Sequence, residues 1–242
     1  METKSQTIYR QNSVFHYLIE LIIITLGVAL GLYADSLRRE YARDKNEKEH
    51  AQAIVENLRS DIHHMEWIIR VRNERNGELD SMIILLRSKK TAGNENSWYF
   101  FGRQAAELLP SIRNARHARK VSNSTATYIK NKKVIDTLAA YESLMESIST
   151  EQERESEQLK SIYPFLLKIY NAYEFEKMVS RDGTINRPTS NPWLRNTEPE
   201  LFDDLAFYIH QYRSGIKSSI SQLRRMQVLA KRIIVFMDSE YK

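Results

Sequence analysis

Apolar side chains recur along this chain in three long stripes at helical spacing, and one stretch near the N-terminus is apolar on almost every face. The first stripe lies between Ser36 and Lys90, where there is no proline and Gly77 is the one glycine. Ile54, Leu58, Ile62, Met65 and Ile69, then Leu79, Ile83 and Leu86 beyond a polar stretch, follow at steps that put one helix face toward a partner. The second stripe runs Val134, Leu138, Tyr141, Met145, Ile148, Gln152, Glu155, Leu159, Ile162, Leu166, Ile169, Tyr173 and Glu176, an a/d heptad register of the coiled-coil kind. Gln152 and Glu155 put a polar layer into that seam, and Pro164 predicts a kink. The third presents Leu201, Leu205, Tyr208, Tyr212, Ile216, Ile220, Leu223, Gln227, Ala230, Ile234 and Met237. These patterns predict long helices over about 36–90, 132–179 and 200–241.

Between them the punctuation is local. Thr91 to Asn96 reads as a loop, with Ser97 as the N-cap of a helix that opens on Trp98, Tyr99, Phe100 and Phe101, an aromatic plug for the core. Shorter helical pieces fill 97–125 and are interrupted near Pro110. Residues 180–199 carry Asp182-Gly183, Arg187-Pro188, Asn191-Pro192 and Glu198-Pro199, the turn signals of a loop; within it Trp193 belongs to no stripe. The predicted fold is all-α: one N-terminal transmembrane helix continuing into an elongated antiparallel three- or four-helix bundle over residues 35–242.

The span is Val14 to Ala34, preceded by a tail of residues 1–13. Its length matches the roughly 20 helical residues that cross a hydrocarbon core, although His16 and Glu20 shorten the continuous apolar part. A buried core helix and a cleaved signal are the alternatives; Ala34-Asp35-Ser36 is a poor cleavage site, and the charged helix runs on without a turn residue, so a retained anchor is expected. Gly27 and Gly31 form a G-x-x-x-G pair, which allows two helix backbones to approach and makes a homodimer through this face one expectation. Glu20 is an intramembrane polar group that must snorkel, protonate or pair. After the span, Arg38, Arg39, Arg43, Lys45 and Lys48 outnumber Lys4 and Arg10 before it, which favours a cytoplasmic C-terminal domain.

Composition agrees with long helices: 7 Gly and 5 Pro in 242 residues leave few turns. The absence of cysteine excludes disulfides, thiolate metal sites and cysteine nucleophiles. A net charge of +5 comes from 36 basic and 31 acidic residues that are interleaved, so most charge reads as solvated helix surface. The strongest single-sign patch is Arg113, Arg116, Arg119 and Lys120, with Lys130, Lys132 and Lys133 nearby, a possible anion-binding patch for lipid or other phosphates. Glu47-x-x-His50 and Asp61-x-x-His64 have the spacing of bundle metal ligands, but they lie about 14 residues and so roughly 20 Å apart on one helix. Ordinary polar surface is the better reading of both, and no metal or cofactor is expected. Phosphate-loop, nucleophile-elbow, zincin and dinucleotide signatures are missing from the sequence.

The run from Glu20 through Gly27 and Gly31 to Glu40, followed by Leu58-Arg59-Ser60-Asp61-Ile62, resembles a family of uncharacterised bacterial single-pass inner-membrane proteins. Gly31 stands where that family has alanine, and Leu37 where it commonly has tryptophan. Thr127 to Tyr141 resembles a second stretch of the same family. The resemblance touches about a third of the chain. It implies a bacterial inner-membrane location with an extracytoplasmic C-terminal domain, against the charge count, and it brings no reaction or catalytic residue. The expected function is therefore a membrane-anchored interaction or sensor-like module without catalytic activity, with the bilayer and an unidentified protein as partners. The alternative is a cytoplasmic-facing membrane effector whose basic patch binds nucleic acid or anionic lipid; nucleic acid is the weaker of those two.

Overall fold

The computed structural model describes residues 3–112 and 129–241, with side chains from residue 15 onward. Among these, five helices follow one another: α1 Thr3–Ser88, α2 Glu95–Ala105, α3 Lys132–Ile169, α4 Ala172–Lys177 and α5 Pro199–Glu240. The described residues contain no strand, only an isolated antiparallel bridge between Val179 and Ile185. The fold class is all-helical, as the stripes predict.

Two compact units divide the chain at Gln52. In the first, Met1–Gln52, every side chain from Phe15 to Asn46 is exposed, including the whole apolar stretch. Its helix is long and apolar enough to cross a membrane, and nothing covers that part of it. Thr25 satisfies its hydroxyl within the helix, donating to Leu21 O at 2.8 Å, which suits a polar group surrounded by hydrocarbon.

The second unit, Ala53–Lys242, holds the core. Leu79, Met82 and Leu86 of α1, Trp98 and Tyr99 of α2, Leu159 and Ile162 of α3, and Leu205, Ile209 and Tyr212 of α5 form one continuous apolar cluster. Helix directions follow from paired residues. Tyr141 meets Asp61, Glu155 meets Arg72 and Tyr170 meets Met82, so α3 runs the same way as α1. Asn131 meets Glu240, and Arg59 meets Asp238, so α5 opposes both. Because α1 and α3 are parallel, the chain must return before α3 begins, and α2 with the residues up to Ile112 makes the described part of that return, with Pro110 alongside Arg72.

Two boundaries differ from the sequence expectation. The predicted helix 132–179 is broken: Tyr170 is extended (φ −108°, ψ 152°), and Asn171 starts α4 by accepting from Tyr173 N. Tyr170 is buried against α2, and Asn171 N donates to the Tyr99 hydroxyl at 3.0 Å. The stripe therefore stops at Ile169, and Tyr173 is exposed. At α2 the cap is Asn94 rather than Ser97, which lies inside the helix and accepts from Arg187 Nη1 at 3.0 Å. The α3 helix continues through Pro164, whose missing N–H leaves the Lys160 carbonyl without its usual donor.

Candidate functional site

The polar layer foreseen at Gln152 and Glu155 is buried and is answered from three directions. Glu155 Oε2 accepts from Arg72 Nη1 of α1 at 2.5 Å, and both side chains are almost wholly removed from water. Arg72 Nη2 donates to Pro110 O at 3.1 Å, and Gln152 Oε1 accepts from Ile112 N at 2.8 Å. Gln152 also reaches Ser219 of α5 at 3.5 Å. The layer thus pins residues 110–112, where the chain crosses the helices, and lets the backbone groups of an irregular segment be satisfied inside the protein. Next to it, Arg75 Nη1 donates to Gln104 Oε1 at 3.1 Å and lies 3.4 Å from Glu78, while Arg213 pairs with Asp80.

Electrostatics follow burial. Loss of water pushes the Glu155 carboxyl above the usual carboxylate value, and the Arg72 guanidinium and Ser219 hydroxyl offset part of that rise. Burial likewise raises the phenols of Tyr212 and Tyr141, the latter further by the Asp61 carboxylate to which its hydroxyl donates at 3.0 Å. Both remain neutral donors at ordinary pH.

A pocket of about 210 Å³ opens beside the layer. Arg72, Gln152, Glu155 and Tyr212 line it from the interior, and Leu108, 69% exposed, belongs to its outer wall. Among the described residues, Arg72 Nε has no hydrogen-bond partner.

The aromatic plug is where the pattern puts it. Trp98 and Tyr99 are fully buried, Trp98 against Phe202 with ring centroids 4.6 Å apart. Phe100 and Phe101 carry the Arg187 guanidinium 4.8 and 5.3 Å above their rings, which fixes the 180–199 loop over α2. Trp193 exposes its ring and joins that arrangement through its carbonyl, which accepts from Tyr99 at 3.1 Å.

Other sequence candidates are not gathered into a site. Gly27 and Gly31 have open space around the positions their Cβ atoms would take, and Glu20 is exposed on the same helix. Asp61 is engaged by Tyr141, and His64 stacks on Trp67 at 5.6 Å. Among the described residues no group of three or more metal-ligating side chains comes together. The patch Arg113, Arg116, Arg119 and Lys120 lies outside the described residues. Arg72, Arg75, Asn76 and Ser219 are the interior polar residues that sequence reasoning missed. The signal was present: Arg72 follows Ile69 by three and precedes Leu79 by seven, which places it on the core stripe.

Comparison with known protein families, characterised proteins and solved structures finds no match to this chain.

Proposed function

We propose that the protein is a single-pass membrane protein whose helical domain, a bundle in which α5 opposes α1 and α3 rather than the antiparallel arrangement expected from sequence, serves as a non-catalytic interaction or sensor-like module. The observation that carries this reading is the uncovered apolar helix surface between Phe15 and Ala34. Full burial of a large apolar side chain is worth about 1.5–3 kcal/mol, so a run of such residues left in water is strongly driven into a bilayer. Thr25, closed on its own helix, and the absence of any Asp, Lys or Arg between Leu21 and Ala34 support the same environment. The non-catalytic reading is supported by the buried layer, whose Arg72, Glu155 and Gln152 are committed to each other and to backbone.

The location we infer is a bacterial inner membrane with the domain extracytoplasmic, supported by the resemblance of the Glu20–Glu40 run. Open space at Gly27 and Gly31 is compatible with pairing of two copies through that face. Carbonate extraction of membranes tests the anchor: the full chain should stay in the pellet and be released only by detergent. Recovery in the supernatant would sink the reading. A reporter fused after Lys242 decides orientation, and activity confined to the cytoplasm would overturn the extracytoplasmic placement in favour of the effector alternative.

A further inference from the structure

We propose that the pocket beside the Arg72–Glu155 pair binds a small, neutral, hydroxyl-rich molecule of the polyol or monosaccharide class. This inference deepens the sensor-like reading above, by naming what the domain would hold.

Three features of the pocket select the class. The first is size. About 210 Å³ is below the roughly 300–1,000 Å³ of pockets that take drug-sized ligands, and it accommodates a compact metabolite. The second is charge. An anion such as a carboxylate or phosphate is best gripped by the two-pronged end of arginine. In Arg72 both prongs are occupied, Nη1 by Glu155 and Nη2 by Pro110 O, and the carboxylates of Glu155 and Glu153 also line the pocket. A cation meets the Arg72 guanidinium instead. An anion finds no open prong without breaking a buried ion pair, which is costly, and a cation drawn to the Glu153 carboxylate or to Glu155 Oε1 is repelled by the adjacent guanidinium.

The third is the character of the remaining lining. Ser111, Ser149 and Ser156 contribute hydroxyls that both donate and accept, and the Arg72 Nε–H is a buried donor that no group among the described residues uses. Leu109, Leu159 and the Tyr212 ring supply apolar surface. Hydroxyl edges combined with C–H faces are what a polyol or sugar presents. A buried donor left without an acceptor costs about 1–3 kcal/mol, so a ligand oxygen on Nε recovers free energy that the folded protein otherwise forgoes.

Ligand-observed saturation-transfer NMR on the full chain in lipid nanodiscs tests this, with glycerol, myo-inositol and glucose as neutral probes and zwitterionic glycine and anionic inorganic phosphate as charge-bearing ones. At least one neutral probe is expected to bind and neither charged probe to compete with it. Ser156→Leu and Ser149→Leu, which fill the pocket from half-buried positions on α3, should each weaken binding at least tenfold. Ser161→Leu, on the exposed side of the same helix, should leave it unchanged. Melting curves of the three variants identify any that has lost its fold, and the remaining pocket variant then carries the comparison. Absence of binding by all neutral probes overturns the proposal. So does binding of glycine or phosphate in the pocket, or undiminished binding by folded Ser156→Leu and Ser149→Leu. A chain that pellets with membranes but binds no probe loses this inference alone, whereas one extracted by carbonate loses the anchored reading whether or not it binds.

Discussion

Arg72 Nη1 of α1 lies 2.5 Å from Glu155 Oε2 of α3, with the two side chains 1% and 4% exposed. Charges so far from water cost several kcal/mol each to desolvate, and their mutual contact, with the Pro110 O and Ser219 hydrogen bonds beside it, offsets that cost. Removing one partner is therefore worse than removing both. Arg72→Met is expected to destabilise the domain by about 3–5 kcal/mol, because it strands the carboxyl group. Arg72→Met combined with Glu155→Leu should recover most of that loss, despite leaving Pro110 O without its donor. Urea unfolding of the wild type, both single variants and the double variant gives the coupling energy. A coupling near zero would show that the contact contributes nothing to stability.

The raised Glu155 carboxyl makes stability depend on pH in a definite direction. In the unfolded chain the group titrates near the ordinary value of about 4.3, whereas the folded chain holds its proton to higher pH. Between those two values the native state binds more protons than the unfolded state, so stability falls as pH rises through the window and levels off above it. Glu155→Gln removes this contribution. Its melting temperature should vary less than that of the wild type over about pH 4 to 7. Some slope remains from Glu78, whose carboxyl burial also raises. Equal slopes in the two proteins would contradict the burial argument.

How much of this was legible in the sequence depends on whether the cause is local. The stripe residues Leu58, Met65, Leu138, Leu159, Leu205 and Ile216 are buried because helical periodicity alone sets them on one face. Gln152 and Glu155 were visible as polar intrusions in that register, but their partners were not. Arg72 occupies a core position of its own stripe, and its charge disguised it as surface. The break after Ile169 had Asn171, an N-cap residue, as its sole local marker, since Leu-Leu-Lys-Ile-Tyr-Asn-Ala-Tyr contains neither glycine nor proline. It is fixed by Tyr170 packing close to Gly102, a contact between residues far apart in the chain. The pocket is hidden for the same reason, because Leu108 to Ser111 reach α3 only once the chain crosses back.

Glycine-to-alanine substitutions should separate those two kinds of cause by sign. A Cβ on Gly77, in the interior of α1, meets nothing within 4 Å, so Gly77→Ala should stabilise the domain by about 0.5–1 kcal/mol through lower backbone entropy in the unfolded chain. A Cβ on Gly102 would fall 2.5 Å from the Tyr170 ring, which has no room to retreat. Overpacking of this kind costs about 1–3 kcal/mol, more than the helix propensity gained, and Gly102→Ala should be destabilising. Thermal melts of the two variants should shift in opposite directions. A parallel shift would mean that α2 and the α3–α4 break are not held by this close approach.

Tyr99 ties that break to the long loop with one hydroxyl. It donates to Trp193 O at 3.1 Å and accepts from Asn171 N at 3.0 Å, and burial raises its pKa so that the donor is retained at alkaline pH. Tyr99→Phe keeps the ring contacts with Tyr170 and Phe175 but leaves one backbone acceptor and one donor without partners. Each such loss costs about 1–3 kcal/mol where the group is buried, and less where solvent reaches it. Because both groups belong to the chain around α4 and the 180–199 loop, loosening should begin there rather than in the helices. Trypsin should then cut Tyr99→Phe faster than wild type at Arg181 or Arg195, Arg187 being shielded by the following Pro188, while sites in α3 and α5 stay protected under native conditions. Wild-type cleavage rates at Arg181 and Arg195 would show that the loop is held by the Arg187–Phe100 contact and the Arg195 N to Ile169 O bond without help from this hydroxyl.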